Sequence, residues 1–279
     1  MKLQRLLLTL TIVLGTFGLF ACGDDSPTDG GTPPPGTLRL SLTDAPTPIE
    51  GVEALTLVLS EVRVNASADD EDGQWYDILP DSLTQEERTI NLLDYANGEY
   101  FLIGEELLPA GNYEQIRLVI EESTVTVDGI VYPLTIPSGS TSGLKLVTDF
   151  VVESEELIGL ILDFDVGRSL FAAPPGSTNF KLKPVIRVVA EDISGGVSGT
   201  VLPVDIDAMV MAVSADLSDT ATVYVEAGTG AYQISALTPG DWSVTALATG
   251  FVSQTTTPVA VSAGSIAGPV DFTLEAETP

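Results

Sequence analysis

Short runs in which every second residue is apolar recur along this chain, and they constrain its fold more than any other feature. Leu38, Leu40 and Leu42 alternate with polar residues, and residues 52–64 repeat the pattern. A period of two places the apolar side chains on one face of a β-strand. Asp128-Gly129 separates two further runs and is typical of a tight hairpin turn. The sequence therefore predicts a mainly β fold.

The composition changes at Ser194-Gly195-Gly196, after which the apolar runs become shorter and more closely spaced. About seven such runs, separated by turn residues, are typical of a β-sandwich. We therefore predict two tandem β-sandwich-like domains, residues 37–192 and 193–279. Each is long enough to bury a hydrophobic core.

Residues 1–21 have the pattern of a lipoprotein signal peptide. Lys2 and Arg5 precede an apolar run, Leu6–Phe20, that is shorter than the roughly 20 residues of a membrane-spanning helix. The run ends in a lipobox before Cys22, which is the single cysteine of the chain. We expect Cys22 to carry acyl chains, since two or more anchor a protein stably in a membrane. The alternative is an ordinary cleaved signal peptide followed by a chance cysteine.

Residues 22–36 are rich in proline, glycine and aspartate and have no apolar periodicity, which predicts a flexible tether after the lipidated cysteine. Gly23 follows the cysteine, where an aspartate would favour retention in the inner membrane of a Gram-negative cell. We therefore expect a lipid-anchored protein of the cell envelope, at the outer membrane. The sequence leaves open whether it faces the periplasm or the cell surface.

The chain is strongly acidic, with 40 acidic residues, 11 basic residues and a net charge of −29. Loss of Lys2 and Arg5 with the signal peptide would bring the net charge to about −31. The negative electrostatic field of such a protein argues against a nucleic acid or an anionic lipid surface as its partner. The chain also contains no histidine, so histidine-based triads and the usual zinc hydrolase sites are not expected.

One acidic loop is a candidate for calcium. Asp69, Asp70 and Asp72 are close together, but an EF-hand would need acids where Ala68 and Leu79 stand. A loose calcium site therefore remains an alternative to a solvated acidic loop, and no other cofactor is expected.

Two arginines lie within apolar strands and are candidates for structural ion pairs. A covered guanidinium needs a carboxylate partner. Asp163 and Asp165 share one face of their strand, and Asp44 lies at the end of the first strand. We predict that Arg117 or Arg187 forms a salt bridge with one of these aspartates. The alternative is that both arginines point into solvent.

The first domain resembles a known family through several motifs in order. The motifs include Leu42-Thr43-Asp44-Ala45-Pro46, Leu92-Leu93-Asp94, Leu108-Pro109-Ala110-Gly111-Asn112-Tyr113, Leu162-Asp163-Phe164-Asp165 and Leu182-Lys183-Pro184-Val185-Ile186-Arg187. On these grounds residues 37–190 resemble domain of unknown function 4382, which is found in prokaryotic lipoproteins. The resemblance implies no known activity.

The second domain resembles a carboxypeptidase-regulatory-like module, a transthyretin-type sandwich also grouped with carbohydrate-binding-like folds. The resemblance rests on Gly230-Ala231-Tyr232-Gln233-Ile234, Leu237-Thr238-Pro239-Gly240-Asp241-Trp242 and Gly250-Phe251. It departs where Asp205-Ile206-Asp207 replaces a Gly-x-Pro turn. It implies a non-catalytic spacer or binding unit. Its aromatic residues either fill the core or stack on a sugar.

Together these observations favour a non-enzymatic envelope lipoprotein that acts as a binding or structural module. Its expected partners are the membrane, through the lipid anchor, and envelope proteins or glycans. The first alternative is carbohydrate binding through the C-terminal sandwich, which exposed coplanar aromatic rings would favour. The second is an enzyme acting on surface glycans, which a deep cleft with two convergent carboxylates would favour.

Overall fold

The structure is a computed structural model that describes residues 33–45, 51–67, 69, 73–136, 143–174 and 177–278. The described residues belong to one compact unit, Pro33–Pro279. Cys22 and residues 1–21, for which a signal peptide is predicted, lie outside the described residues. Within the described part of the chain, no helix combines the length and the apolar character needed to cross a membrane.

The described residues form β-strands joined by turns and two single-turn helices, which confirms the prediction of a mainly β fold. One helix is a 3-10 turn, Leu92–Tyr95, and the other is α1, Val166–Ser169. The strands up to residue 190 are β1 Gly36–Ala45, β2 Val52–Asn65, β3 Trp75–Asp77, β4 Thr89–Asn91, β5 Phe101–Leu108, β6 Gly111–Val127, β7 Ile130–Pro133, β8 Leu144–Val152, β9 Leu157–Asp165, β10 Leu170–Ala172, β11 Phe180–Leu182 and β12 Ile186–Ala190.

These strands enclose a first hydrophobic core between two sheets. One sheet has the order β12-β9-β1-β5, and the other has the order β3-β2-β6-β7, with β4 also paired to β2 and β8 to β6. The alternation in β1 buries Leu38, Leu40 and Leu42 completely. Leu55 and Leu57 of β2 are buried in the same core, as period-two strands with one covered face require.

The remaining strands enclose a second core. They are β13 Gly195–Leu202, β14 Ala208–Ser214, β15 Thr220–Tyr224, β16 Ala231–Leu237, β17 Gly240–Ala248, β18 Phe251–Val252, β19 Gln254–Val261, β20 Ile266–Ala267, β21 Phe272–Thr273 and β22 Glu275–Ala276. One sheet has the order β15-β14-β17-β19; the other has the order β16-β13-β20, with β21 also on β13. Trp242 and Val244 are almost completely buried in this core.

The strand pattern differs from the sequence prediction where strands bulge. The runs at 112–120 and 124–127 belong to one strand, β6, whose pairing with β2 shifts register between Ile120 and Glu122. A bulge inserts a residue without ending the ladder, so alternation breaks while pairing continues. The pairing of β5 with β1 is also irregular, between Leu40 and Ser41. The sequence did not predict β5, because its own alternation is broken in the same way.

Candidate functional site

Buried charged groups collect where β1 and β9 end. These two strands are parallel, with Thr43 opposite Asp163, so their carboxyl ends meet at one edge of the sheet. Asp44, Asp163 and Asp165 are all buried there. Strand β12 runs antiparallel to β9 and places Arg187 directly opposite Asp163. The backbone pairing alone thus brings the arginine to the carboxylates.

Arg187 contacts two carboxylates at once. Its Nε donates a hydrogen bond of 2.9 Å to Oδ2 of Asp163, and its Nη2 donates to the same oxygen. Its Nη1 donates to Oδ2 of Asp219 over 2.7 Å. The side chains of Arg187, Asp163 and Asp219 are 15%, 10% and 20% exposed. Asp219 lies in the turn between β14 and β15, so Arg187 links the first core to the second.

Asp165 makes a second polar link between the two cores. Its Oδ1 accepts a hydrogen bond of 2.9 Å from the backbone N–H of Arg168 and so caps α1. Its Oδ2 accepts one of 3.2 Å from the hydroxyl of Thr222 in β15. Asp44 instead serves the first core, where its Oδ1 accepts a hydrogen bond of 3.2 Å from the backbone N–H of Val166.

Burial controls the ionisation of this cluster. It raises the pKa of Asp163, and the neighbouring Arg187 guanidinium opposes that rise. Burial likewise raises the pKa of Asp165, against the hydrogen bond from the Arg168 N–H. Burial by itself would lower the pKa of Arg187, but the charges of Asp163 and Asp219 raise it above the ordinary value. Arg187 therefore stays positively charged.

Further contacts between the cores surround the ion pairs. The backbone N–H of Gln233 donates a 3.3 Å hydrogen bond to Oδ1 of Asn97. Ile161, Val189 and Ala236 form a small apolar cluster of their own. We call this set of contacts, centred on Arg187, the junction. It is mostly polar, with a minor apolar part.

The cavity beside the carboxylates of the junction is too small for a ligand. The cavity beside Asp44 and Asp163, which Thr222 and Gln233 also line, has a volume of about 10 Å³. That is room for about one water molecule. Asp163 is engaged by Arg187, and Asp165 by the Arg168 N–H and Thr222. Asp163 and Asp165 therefore serve the contacts between the cores, and this cavity is not the sugar-sized cleft that a glycosidase requires.

Arg117 belongs to a different surface. It lies in β6, in the other sheet of the first core, directly opposite Arg63 of β2. Its guanidinium carbon is 4.7 Å from the ring centroid of Trp75, and that of Arg63 is 5.5 Å from the same centroid. This cation–π stacking holds β3 against β2 and β6.

The calcium candidates are only partly described. The backbone N–H of Asp69 donates a 3.1 Å hydrogen bond to the Ser67 hydroxyl. Asp70 and Asp72 lie outside the described residues. Among the residues that the structure describes, no group of three or more acidic, cysteine or histidine side chains is arranged to hold a metal ion.

The aromatic candidates for sugar stacking lie in the second core. Tyr232 is 3% exposed and donates a 2.6 Å hydrogen bond to the carbonyl of Val270. Trp242 is 1% exposed, and its indole N–H donates to the carbonyl of Thr238 over 2.9 Å. Phe251 is half-buried and packs against the same core. Carbohydrate binding through the C-terminal sandwich therefore gains no support from these rings.

The fold and the junction define a mainly β protein in which one largely buried arginine, Arg187, pairs with a carboxylate from each of two hydrophobic cores. The chain belongs to the family described as a domain of unknown function (DUF4382), whose model matches residues 35–184. This confirms the resemblance of the first domain. No curated protein matches the chain significantly.

Among solved structures, the chain is similar to the Bacillus anthracis TIE protein, with 13% identity and a TM-score of 0.23. That match covers 87% of this chain and 34% of the TIE protein, so the chain spans about a third of that protein's length. It is also similar to a C-terminal fragment of the pilus adhesin SpaC from Lactobacillus rhamnosus GG, with 10% identity and a TM-score of 0.20. The second match covers 88% of this chain and 99% of the fragment.

Proposed function

We propose that this protein is a non-enzymatic lipoprotein of the cell envelope whose two β-sandwich-like domains, residues 37–192 and 193–279, act as one rigid binding or structural module. The observation that supports this most directly is the Arg187 guanidinium, which contacts Asp163 of the first core and Asp219 of the second. Separation of the domains would take the Asp219 carboxylate away from Arg187 and the Thr222 hydroxyl away from Asp165. The junction therefore favours a fixed arrangement of the two domains.

The same contacts support a non-catalytic role. A carboxylate that acts as general acid, base or nucleophile must reach a substrate. Asp163 and Asp165, the two carboxylates with raised pKa values, are instead buried against Arg187 and Thr222 beside a cavity of about 10 Å³. Their raised pKa values are explained by burial in a structural contact.

The rigid coupling is testable through Asp219. Asp219→Ala should remove the carboxylate that the second core contributes to Arg187, and so widen the distribution of distances between spin labels placed on the two domains. Asp207→Ala is the matched control, because Asp207 is exposed in another turn of the second domain. Equal distance distributions in the native protein and both variants would rule out a coupling role for this ion pair.

The anchor is testable through Cys22. Cys22→Ser should yield an uncleaved or soluble form that no longer incorporates a fatty-acid probe, whereas Ser26→Ala in the tether should behave as the native protein does. If Cys22→Ser still fractionates as a processed membrane protein with unchanged labelling, the anchor proposal is wrong. This outcome is independent of the coupling experiment.

A further inference from the structure

Two stretches of this acidic chain contain no acidic residue. They are residues 129–148 and 166–190, and together they hold five of the nine basic residues beyond position 22. The structure brings the two stretches together. The backbone N–H of Leu182 donates a 3.1 Å hydrogen bond to the carbonyl of Thr135, and Thr135 also forms a β-bridge with Lys181. One region of the first domain is therefore built from chain segments that carry bases but no acids.

Within this region, the hairpin of β10 and β11 turns basic side chains outward. The two strands are antiparallel and place Phe171 opposite Lys181. Leu170 and Leu182 are buried in the first core, so Phe171 and Lys181 lie on the other face of the hairpin. Lys183 follows two residues after Lys181 and is exposed. The Phe171 ring is itself 40% exposed beside these lysines.

Arg168 extends this surface past the end of the hairpin. The backbone N–H of Lys183 donates a 2.8 Å hydrogen bond to the carbonyl of Ser169, the residue after Arg168. The Arg168 side chain is 53% exposed, and its Nη1 lies 3.9 Å from Oδ2 of Asp165. That distance is too long for a hydrogen bond, so the guanidinium keeps donors for another partner. We call the surface formed by Arg168, Phe171, Lys181 and Lys183 the basic surface.

The lysines of the basic surface are not engaged by the protein's own carboxylates. Within the described part of the chain, neither Lys181 nor Lys183 forms a salt bridge, which would be an N···O contact of 4.0 Å or less. Arg39, by contrast, pairs with Glu105 over 2.9 Å on the outward face of its own sheet. Two ammonium groups on one face of a strand repel each other, and an anionic partner would relieve that repulsion.

Acidic residues limit how far an anionic partner can extend. Glu121 and Glu122 line a groove that Thr135 also lines, beside the strand that carries the lysines. The protein as a whole has a net charge of −29. A ligand with dense negative charge along its whole length would be repelled beyond the basic surface. This argues against duplex DNA, which carries a charge about every 1.7 Å, and favours a ligand with few, spaced charges.

We propose that the basic surface binds an acidic polysaccharide. Lys181 and Lys183 are about 6.8 Å apart along the strand, so they can contact two anionic groups of one extended chain. An ammonium is a point charge that tolerates variable geometry, which suits a flexible ligand. Beside Lys181, the Phe171 ring offers a flat apolar surface on which the C–H face of a sugar can stack. This inference rests on the proposed function, because it names the ligand of the binding module.

Binding measurements on the purified full chain in a neutral detergent test the inference. The probes are polygalacturonate and dextran sulfate, with uncharged dextran as the control polymer. We expect at least one acidic polymer to bind at low salt, weaker binding at 1 M salt, and no binding of dextran. Lys183→Gln should lower the affinity about threefold, and Lys181→Gln combined with it about tenfold. Arg39→Gln removes the same charge elsewhere and should leave the affinity unchanged.

A further variant separates sugar recognition from attraction between charges. Phe171→Ala should weaken binding of the acidic polysaccharide about threefold and leave the binding of inorganic polyphosphate unchanged, while the melting temperature of each variant verifies its fold. Failure of both acidic polymers to bind would overturn the inference, and so would binding that the double lysine variant leaves unchanged. Tighter binding of a single-stranded oligonucleotide would overturn it in favour of a nucleic acid. Any of these results, in a protein that passes the Asp219 and Cys22 tests, would refute this inference alone.

Discussion

Arg187 lies directly opposite Asp163 across the antiparallel pair β9 and β12, with its Nε 2.9 Å from Oδ2 of the aspartate. Both side chains are largely buried, and the same guanidinium reaches Asp219 of the second core. A cross-strand pair within one sheet thus also connects two cores. Removal of the arginine would leave two carboxylates, Asp163 and Asp219, without their positively charged partner.

Arg187→Met should destabilise the protein by about 3–5 kcal/mol, because it leaves buried Asp163 without its counter-charge. Arg39→Met is the matched control. Arg39 pairs with Glu105 over 2.9 Å, but both side chains are about 40% exposed, so its loss should cost at most about 1 kcal/mol. Urea unfolding of both variants provides the measurement. Similar losses of stability in the two variants would show that burial does not increase the contribution of the Arg187–Asp163 pair to stability.

Arg88→Lys should loosen the loop between β3 and β4. The Arg88 Nε donates to the carbonyl of Leu83 over 3.1 Å, and its Nη2 donates to that of Asp81 over 3.0 Å. A lysine ammonium cannot reproduce this planar fork. The loss of these hydrogen bonds should lower the stability of the loop by about 2 kcal/mol. It should appear as faster amide hydrogen exchange at residues 80–88, and unchanged exchange there would contradict the assigned role.

The Tyr113 phenol should ionise at a higher pH than an ordinary tyrosine does. Its hydroxyl donates a 3.0 Å hydrogen bond to the carbonyl of Pro109, and burial raises its pKa from 10.0 to about 12. The folded state therefore holds this proton more tightly than the unfolded state does. The stability it contributes is complete below pH 10 and is lost as the pH rises toward about 12.

Absorbance at the tyrosinate wavelength measures this titration. Tyr113→Phe should reduce the absorbance change near pH 12 by the contribution of one tyrosine, while Tyr224, whose pKa burial also raises to about 12, still contributes there. It should also flatten the fall in stability between pH 10 and about pH 12. Loss of a component near pH 10 instead would show that the phenol is accessible to solvent.

Salt should stabilise the protein, since its net charge of −29 implies strong self-repulsion. The melting temperature should rise as sodium chloride increases from low to molar concentration, and a flat or falling curve would contradict this. Calcium and magnesium at equal ionic strength form the control pair. A much larger rise with millimolar calcium would identify a specific site, with Asp69, Asp70 and Asp72 as the first residues to replace.

Local patterns in the sequence were sufficient to predict much of the fold. The alternation of Leu38, Leu40 and Leu42 marks a strand because every second side chain of a strand shares a face, and the structure buries all three. Asp128-Gly129 marks the hairpin between β6 and β7 because that dipeptide suits the turn. Strand β5 was not predicted, since the alternation of its own residues is broken where its pairing with β1 is irregular.

The sequence by itself determined which residues were candidates for the junction. Asp163 and Arg187 stood out as charged groups inside apolar strands, and that is a local property. Only the tertiary structure selected Arg187 over Arg117, because the choice depends on which strands become neighbours. Asp219 and Thr222 carried no signal of their own, since each looks like an ordinary polar residue beside a turn. Their role arises only when the second core packs against the ends of β1 and β9, and contacts between residues distant in sequence leave no local periodicity.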